Sequence, residues 1–196
     1  ATTYGILING SVSNVTIKNC KVGNYTGGIA LYASNNSFLV NNIAYENSAD
    51  GVIVLSSFNN TLINNTVYDN VDYGINLYLS SNNVLINNTA YAQGIGIVIS
   101  ASMNNKIDGS KIYNNAAGFR IESTSHNNTF TNNLVYDNLG PAFFIYSSDN
   151  NTLINDTIYN NLDNGLVVYV SNNTNITNMH LYNNSNLDVL ISADDF

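Results

Sequence analysis

Apolar and polar residues alternate in short runs along this chain, and the runs recur. After Gly74 come Ile75, Asn76, Leu77 and Tyr78, with Ile75 and Leu77 on one face and Asn76 and Tyr78 on the other. That period of two marks a strand with one buried side. The same beat returns at Ile6/Ile8, Ile29/Leu31, Val52/Val54, Ile97/Ile99, Phe119/Ile121, Phe143/Ile145, Leu166/Val168 and Val189/Ile191. Two more apolar columns complete each copy: one runs from Ile17, Leu39 and Leu62 to Ile176, the other from Val22, Ala44 and Val67 to Leu181. The pattern predicts three short strands per copy and has no helical period.

The polar residues repeat as faithfully. Asn59-Asn60-Thr61-Leu62-Ile63-Asn64-Asn65-Thr66 returns as Asn82-Asn83-Val84-Leu85-Ile86-Asn87-Asn88-Thr89, again from Asn127 and Asn150, and in weaker copies near Asn14, Asn36, Asn104 and Asn173. A period of about 22 to 23 residues tiles the chain and predicts one domain over residues 1–196. Short β-branched strands in parallel register predict an all-β fold, a right-handed single-stranded parallel β-helix of about eight to nine coils. Leucine-rich repeats have a similar period, but their leucine spacing and helical segment are missing.

Aligned copies form ladders. Tyr45, Tyr68, Tyr91, Tyr113, Tyr136, Tyr159 and Tyr182 make one column. Gly5, Gly28, Gly51, Gly74, Gly96, Gly118 and Gly165, with Ala142 in the remaining copy, make another and read as bends that need unusual backbone angles or close approach. Asn19, Asn41, Asn64, Asn87, Asn132, Asn155 and Asn178, interrupted by Gly109, read as a corner ladder of stacked, buried amides. Cys20 shares the next column with Asn42, Asn65, Asn88, Ser110, Asn133, Asp156 and Met179, and reads as a small corner residue.

Composition narrows the function. Charged residues are only 9% of the chain, and five Lys and Arg against thirteen Asp and Glu give a net charge of −8, so nucleic acid is excluded as a partner. No stretch is long and apolar enough for a transmembrane helix, and Ala1 to Gly10 lack the regions of a signal peptide, so the chain reads as already processed. A single cysteine forbids an intrachain disulfide.

The units Gly74-Ile-x-Leu77 and Ser81-Asn-Asn-x-Leu-Ile-Asn-Asn88 resemble the NosD-type parallel β-helix repeat of the pectin-lyase-like superfamily, found in many archaeal and bacterial surface proteins. The resemblance covers nearly the whole chain. It implies the coil fold, and relatives that include polysaccharide lyases and hydrolases, carbohydrate-binding modules, a periplasmic protein linked to copper-enzyme maturation, and surface-layer or adhesive stalks. Fold alone does not choose among them.

Candidate chemistry is sparse. Arg120 and Glu122 read as an exposed ion pair, and Glu46 and Asp69, one coil apart, as corner polar residues. Asp72 and Asp163 read as turn formers. His126 and His180 lie about two coils apart, and Met103 and Met179 do not close a cluster with them, so no catalytic, cofactor or metal site is expected. The outward positions of the post-glycine strand are unexpectedly apolar and aromatic: Tyr32, Ile53, Leu55, Tyr78, Val98, Phe144, Tyr146, Val167, Tyr169 and Leu190. Such a stripe reads as a self-association surface, as a face covered by a missing arm, or as tyrosines that stack on sugars. Neither end carries a cap, which fits end-to-end stacking or an excerpt of a longer protein. About thirteen Asn-x-Ser/Thr sequons occur, and Asn9, Asn14, Asn24, Asn35, Asn59, Asn127, Asn172 and Asn183 are candidates for glycans.

Together these features predict a non-catalytic extracellular or cell-surface protein without cofactors, a filament or surface-layer subunit that partners itself end to end and laterally. The alternative is a carbohydrate-binding or carbohydrate-processing domain that uses the tyrosine stripe.

Overall fold

The computed structural model describes residues 3–193. Strands Tyr4–Ile8, Gly27–Tyr32, Val52–Leu55, Tyr73–Tyr78, Ile95–Ser100, Ala117–Glu122, Phe143–Tyr146, Leu166–Tyr169 and Val189–Ser192 form a nine-stranded sheet. Two eight-stranded sheets complete the coils: the second runs from Thr16–Lys18 to Asn175–Thr177, the third from Lys21–Gly23 to His180–Tyr182. Every pairing is parallel and joins equivalent strands of successive coils, such as Ile75 to Val52 on one side and to Ile97 on the other. The predicted right-handed β-helix is therefore the fold, with three strands per coil.

The core is the stack of inward columns. Ile29, Leu31, Leu39, Leu62, Ile75, Leu77, Leu85, Ile97 and Ile99 are fully buried. In the sixth and seventh coils the column widens to aromatics. Phe119 stacks on Phe143 with centroids 4.4 Å apart, and Phe130 meets both edge to face at 5.3 and 5.4 Å.

The amide ladder is real, but one residue on from its expected place. Asn19, Asn41, Asn64, Asn87, Asn132, Asn155 and Asn178 are exposed and hold φ between 53° and 57°. Asn tolerates this left-handed conformation, and the bend it makes turns the following side chain inward. The buried rungs are thus Asn42, Asn65, Asn88, Ser110, Asn133 and Asp156, with Cys20 donating its backbone N–H to Asn42 Oδ1 at the start. Asn47, Asn70, Gln93, Asn115, Asn138 and Asn161 form a second ladder, Asn60, Asn83, Asn105, Asn128 and Asn151 a third, and Ser34, Ser57, Ser80, Ser102, Ser125 and Ser148 a fourth. In each amide ladder a rung sends its backbone N–H, and usually its side-chain N–H, to the Oδ1 of the next coil, as Asn83 does to Asn105 at 2.9 and 3.1 Å.

The glycine column answers to close approach rather than unusual angles, since the positive-φ glycines among the described residues are Gly10 and Gly109. A Cβ on Gly28 would lie 2.4 Å from the Gly51 carbonyl oxygen and 2.9 Å from Asn47 Nδ2. Gly28→Ala is expected to destabilise the fold by about 2 kcal/mol, read as a lower denaturant midpoint with an unchanged slope. An unaltered midpoint would contradict this account of the column.

Candidate functional site

The outer face of the nine-stranded sheet carries the stripe. Register aligns Ala30, Ile53, Asn76, Val98 and Arg120 in its middle column, continued by Phe144, Val167 and Leu190. Tyr32, Leu55, Tyr78, Ser100 and Glu122 form the flanking column, in which Tyr146, Tyr169 and Ser192 follow. The stripe is not uniformly open. Tyr78 is exposed, Tyr32, Ile53, Leu55, Phe144, Tyr169 and Leu190 are half-buried, and Val98 and Val167 are buried at 2% and 6% exposure. The two valines are short side chains flanked by longer ones in register, Asn76 and Arg120 for Val98 and Phe144 and Leu190 for Val167.

One end of this face holds a polar nest that the repeat did not reveal. The Tyr4 and Tyr32 hydroxyls hydrogen-bond each other, and their rings meet edge to face at 5.4 Å. Tyr4 lies over Gly27, where an added Cβ would come within 2.7 Å of the ring. Asp50 Oδ2 accepts a hydrogen bond from Asn76 Nδ2 at 2.9 Å, and Oδ1 accepts one from the Tyr73 backbone N–H at 3.3 Å. Burial pushes the Asp50 carboxyl above the ordinary carboxylate range, against those two hydrogen bonds, and nearby Asp72 adds to the rise. Burial also raises the Tyr32 phenol, helped by Tyr4 and Asp50. The nest thus gathers one carboxyl and two phenols, groups that can exchange protons with a bound hydroxyl. Asp50 stands directly before Gly51, a position where an Asp reads as an ordinary turn residue. The Tyr4–Tyr32 pair escapes periodicity because its members come from different columns.

The other end is hollowed. Pro141, Phe144, Asp163, Asn164, Val167, Tyr169 and Leu190 enclose a depression of about 650 Å³ floored by Val167. A smaller hollow of about 300 Å³, lined by Ile95, Ala117, Arg120, Pro141 and Phe144, adjoins it through Pro141 and Phe144. Together they follow the rod axis from the coil of Ile95 to the coil of Leu190, roughly 20 Å at the spacing of parallel strands. Arg120 Nε donates to Glu122 Oε2 at 2.7 Å, the expected ion pair, with the two side chains 44% and 23% exposed. Tyr146 and Tyr169 stack on each other at 5.4 Å. Their facing surfaces are therefore occupied, and what they turn to a ligand is largely ring edge and hydroxyl.

The remaining candidates lie apart. Glu46 and Asp69 are exposed corner residues at positive φ beside the tyrosine column of the third sheet. That column stacks continuously from Tyr45 to Tyr182, with centroids 5.0 to 5.5 Å apart. Of the sequon asparagines, Asn9, Asn14, Asn24, Asn59, Asn127, Asn172 and Asn183 are exposed. Asn35 is half-buried and accepts the Phe58 N–H. Asn64, expected to be buried, is exposed, for the corner geometry given above.

With this geometry in view, the match to a family model is decisive: the model described as periplasmic copper-binding protein (NosD) aligns with residues 1–140 and 96–195. The chain belongs to the NosD family. No curated protein matches this NosD-family chain. A periplasmic alginate epimerase, AlgG, superposes with TM-score 0.86 at 20% identity, over 96% of this chain and 50% of the epimerase. The enzymatically active domain of bacteriophage CBA120 tailspike protein 2 gives 0.85 at 14% identity, over 100% and 36%. The pectate lyase Pel9A gives 0.70 at 17%, over 93% and 56%. The chain thus spans about half or less of these structures, and at such identities the likeness is one of fold. It still overturns the expectation of a plainly non-enzymatic protein, because the neighbours that share this coil include an epimerase and a lyase named for polysaccharides.

The copper named by the family description finds no fitting ligand set among the described residues. Among the described residues no three His, Cys, Asp or Glu side chains gather. His126 spends its Nδ1 lone pair on the Asp149 backbone N–H at 2.7 Å, and His180 stands on the third sheet. Cys20 sits at the start of an amide ladder in the first coil. Imidazole and thiolate, the donors that copper prefers, are scattered.

Proposed function

We propose that this NosD-family chain is an extracytoplasmic carbohydrate-binding and carbohydrate-processing β-helix domain. A polysaccharide would lie along the outer face of the nine-stranded sheet. The observation that carries this reading is the axial depression itself, with an apolar floor of Val167, Phe144 and Leu190 and polar groups at its edges. Concave, mostly apolar sites with a few convergent polar groups are where sugars bind, their C–H faces on the floor and their hydroxyls at the rim. The coil spacing is close to the length of one pyranose unit, so successive sugars meet equivalent positions on successive coils. The fold neighbours named for alginate and pectate, and the periplasmic description of the family, support the reading.

Phe144 joins the two hollows, so Phe144→Ala is expected to weaken polysaccharide binding about tenfold, the equivalent of one lost apolar contact. Affinity electrophoresis through polysaccharide gels measures this, with the melting temperature as the control for folding. Unchanged mobility in a folded variant would remove the depression as the site. Sedimentation of the same samples tests the rival use of the stripe, self-association.

A further inference from the structure

We infer that the polysaccharide taken by this face carries no carboxylate, unlike the polyuronates for which the epimerase and lyase neighbours are named. The inference rests on the carbohydrate reading above and specifies its substrate class. It starts from how the charges are distributed over the three sheets. Lys18 and Lys106 lie on the second sheet, and Lys21 and Lys111 on the third. The nine-stranded sheet has Arg120 alone of the five Lys and Arg, and Arg120 is spent on Glu122 at 2.7 Å.

Against that one neutralised cation stand Asp163, at the rim of the depression, and the exposed Asp72 farther along the same face. A chain bearing one carboxylate per sugar would meet these negative charges along its length and, among the described residues of this face, no unpaired Lys or Arg.

Asp163 and Asp50 are already provided with hydrogen-bond donors. Asp163 Oδ1 accepts from the Asn164 backbone N–H, Asn164 Nδ2 and Asn186 Nδ2 at 2.8, 3.0 and 2.7 Å. Asp50 accepts from Asn76 and Tyr73 and is held toward its neutral form by burial. Amides, phenols and an apolar floor are left for a ligand, the complement of an uncharged pyranose chain. β-Elimination and C5 epimerisation both need a carboxylate or a carboxyl ester on C5 to acidify its proton. On a neutral chain whose sugars carry neither group these steps cannot proceed, and glycoside hydrolysis is the cleavage left open.

Pairs of polymers that share a backbone and differ in charge test the inference. Hydroxyethyl against carboxymethyl cellulose, and methyl-esterified against free polygalacturonate, are run in affinity gels with the intact chain, with and without calcium. The expected result is at least about tenfold tighter binding of the uncharged member of a pair at low salt, with the gap narrowing as salt rises. Asp163→Asn combined with Glu122→Gln should narrow it further. Equal or tighter binding of the carboxylated member, including binding that appears only with calcium, overturns the inference but leaves the carbohydrate reading standing. Failure to bind either member of any pair overturns both.

Discussion

Replacing Asn105 with Leu is expected to cost this protein about 4 kcal/mol or more, although the two side chains are similar in size and the site is fully buried. Asn105 Oδ1 accepts both the Asn83 backbone N–H and Asn83 Nδ2, at 2.9 and 3.1 Å. Its own Nδ2 donates to the Ser80 carbonyl at 3.0 Å and to Asn128 Oδ1 at 3.1 Å. Leu would leave two donors of Asn83 and the Ser80 carbonyl dry and unpaired, at about 1–3 kcal/mol each. Its added apolar burial offsets only part of that. Chemical denaturation of the variant beside the parent checks the figure. A loss below about 1 kcal/mol would mean that the ladders decorate the coil rather than hold it.

The second large effect has the opposite sign and depends on pH. Asp156 occupies a ladder position otherwise filled mainly by Asn, fully buried, with one oxygen accepting from the Asn133 backbone N–H and Nδ2 at 2.7 and 2.9 Å. The other oxygen, Oδ2, has no hydrogen-bond partner among the described residues. Burial pushes the carboxyl from its ordinary 3.8 up to about 7, with the Asn133 hydrogen bonds opposing the rise and Asp108 adding to it. A carboxyl whose folded value is raised leaves stability intact below its unfolded value, and stability falls as pH climbs from about 4 through about 7. The loss amounts to about 4 kcal/mol once the group is ionised. Asp156→Asn removes the titrating group. It also supplies an N–H aimed at the Phe130 carbonyl, as Asn133 Nδ2 is aimed at Ile107. The variant is therefore expected to melt about 10 °C above the parent at pH 8 and within a few degrees of it at pH 4. Parallel melting curves at both pH values would refute this.

The fold was legible because every coil repeats the same physical demands. Paired inward residues such as Ile75 and Leu77 set the strand face, and the Asn-Asn dipeptides set the corners. Reading one of those dipeptides correctly required the backbone, however. Both amides of Asn64-Asn65 are identical in chemistry, and only the left-handed turn at the first decides which of them is buried. The candidate site was half visible. Phe144 and Val167 stood out because apolar residues were unexpected on an outer face, whereas Asp50, Tyr4 and Tyr32 are brought together from unlike positions of three coils. Enzymatic relatives were legible as an alternative, but the absence of a repeated acid–base pattern pointed away from catalysis. A repeat detects what every coil shares, while a catalytic group need occur only once.

The corners of the coil are not equally tolerant of change. From the inward residue of the second sheet to that of the third the interval is constant, as from Ile17 to Val22, Leu62 to Val67 and Leu153 to Ile158. The connection from the third sheet back to the first varies by a residue, shorter from Ile112 to Phe119 than from Val135 to Phe143. The extra residue falls in the segment that holds Pro141, at the rim of the depression. Insertions and deletions there leave every rung in place, so the lineage of this rod can remodel the border of the depression while inheriting the scaffold unchanged.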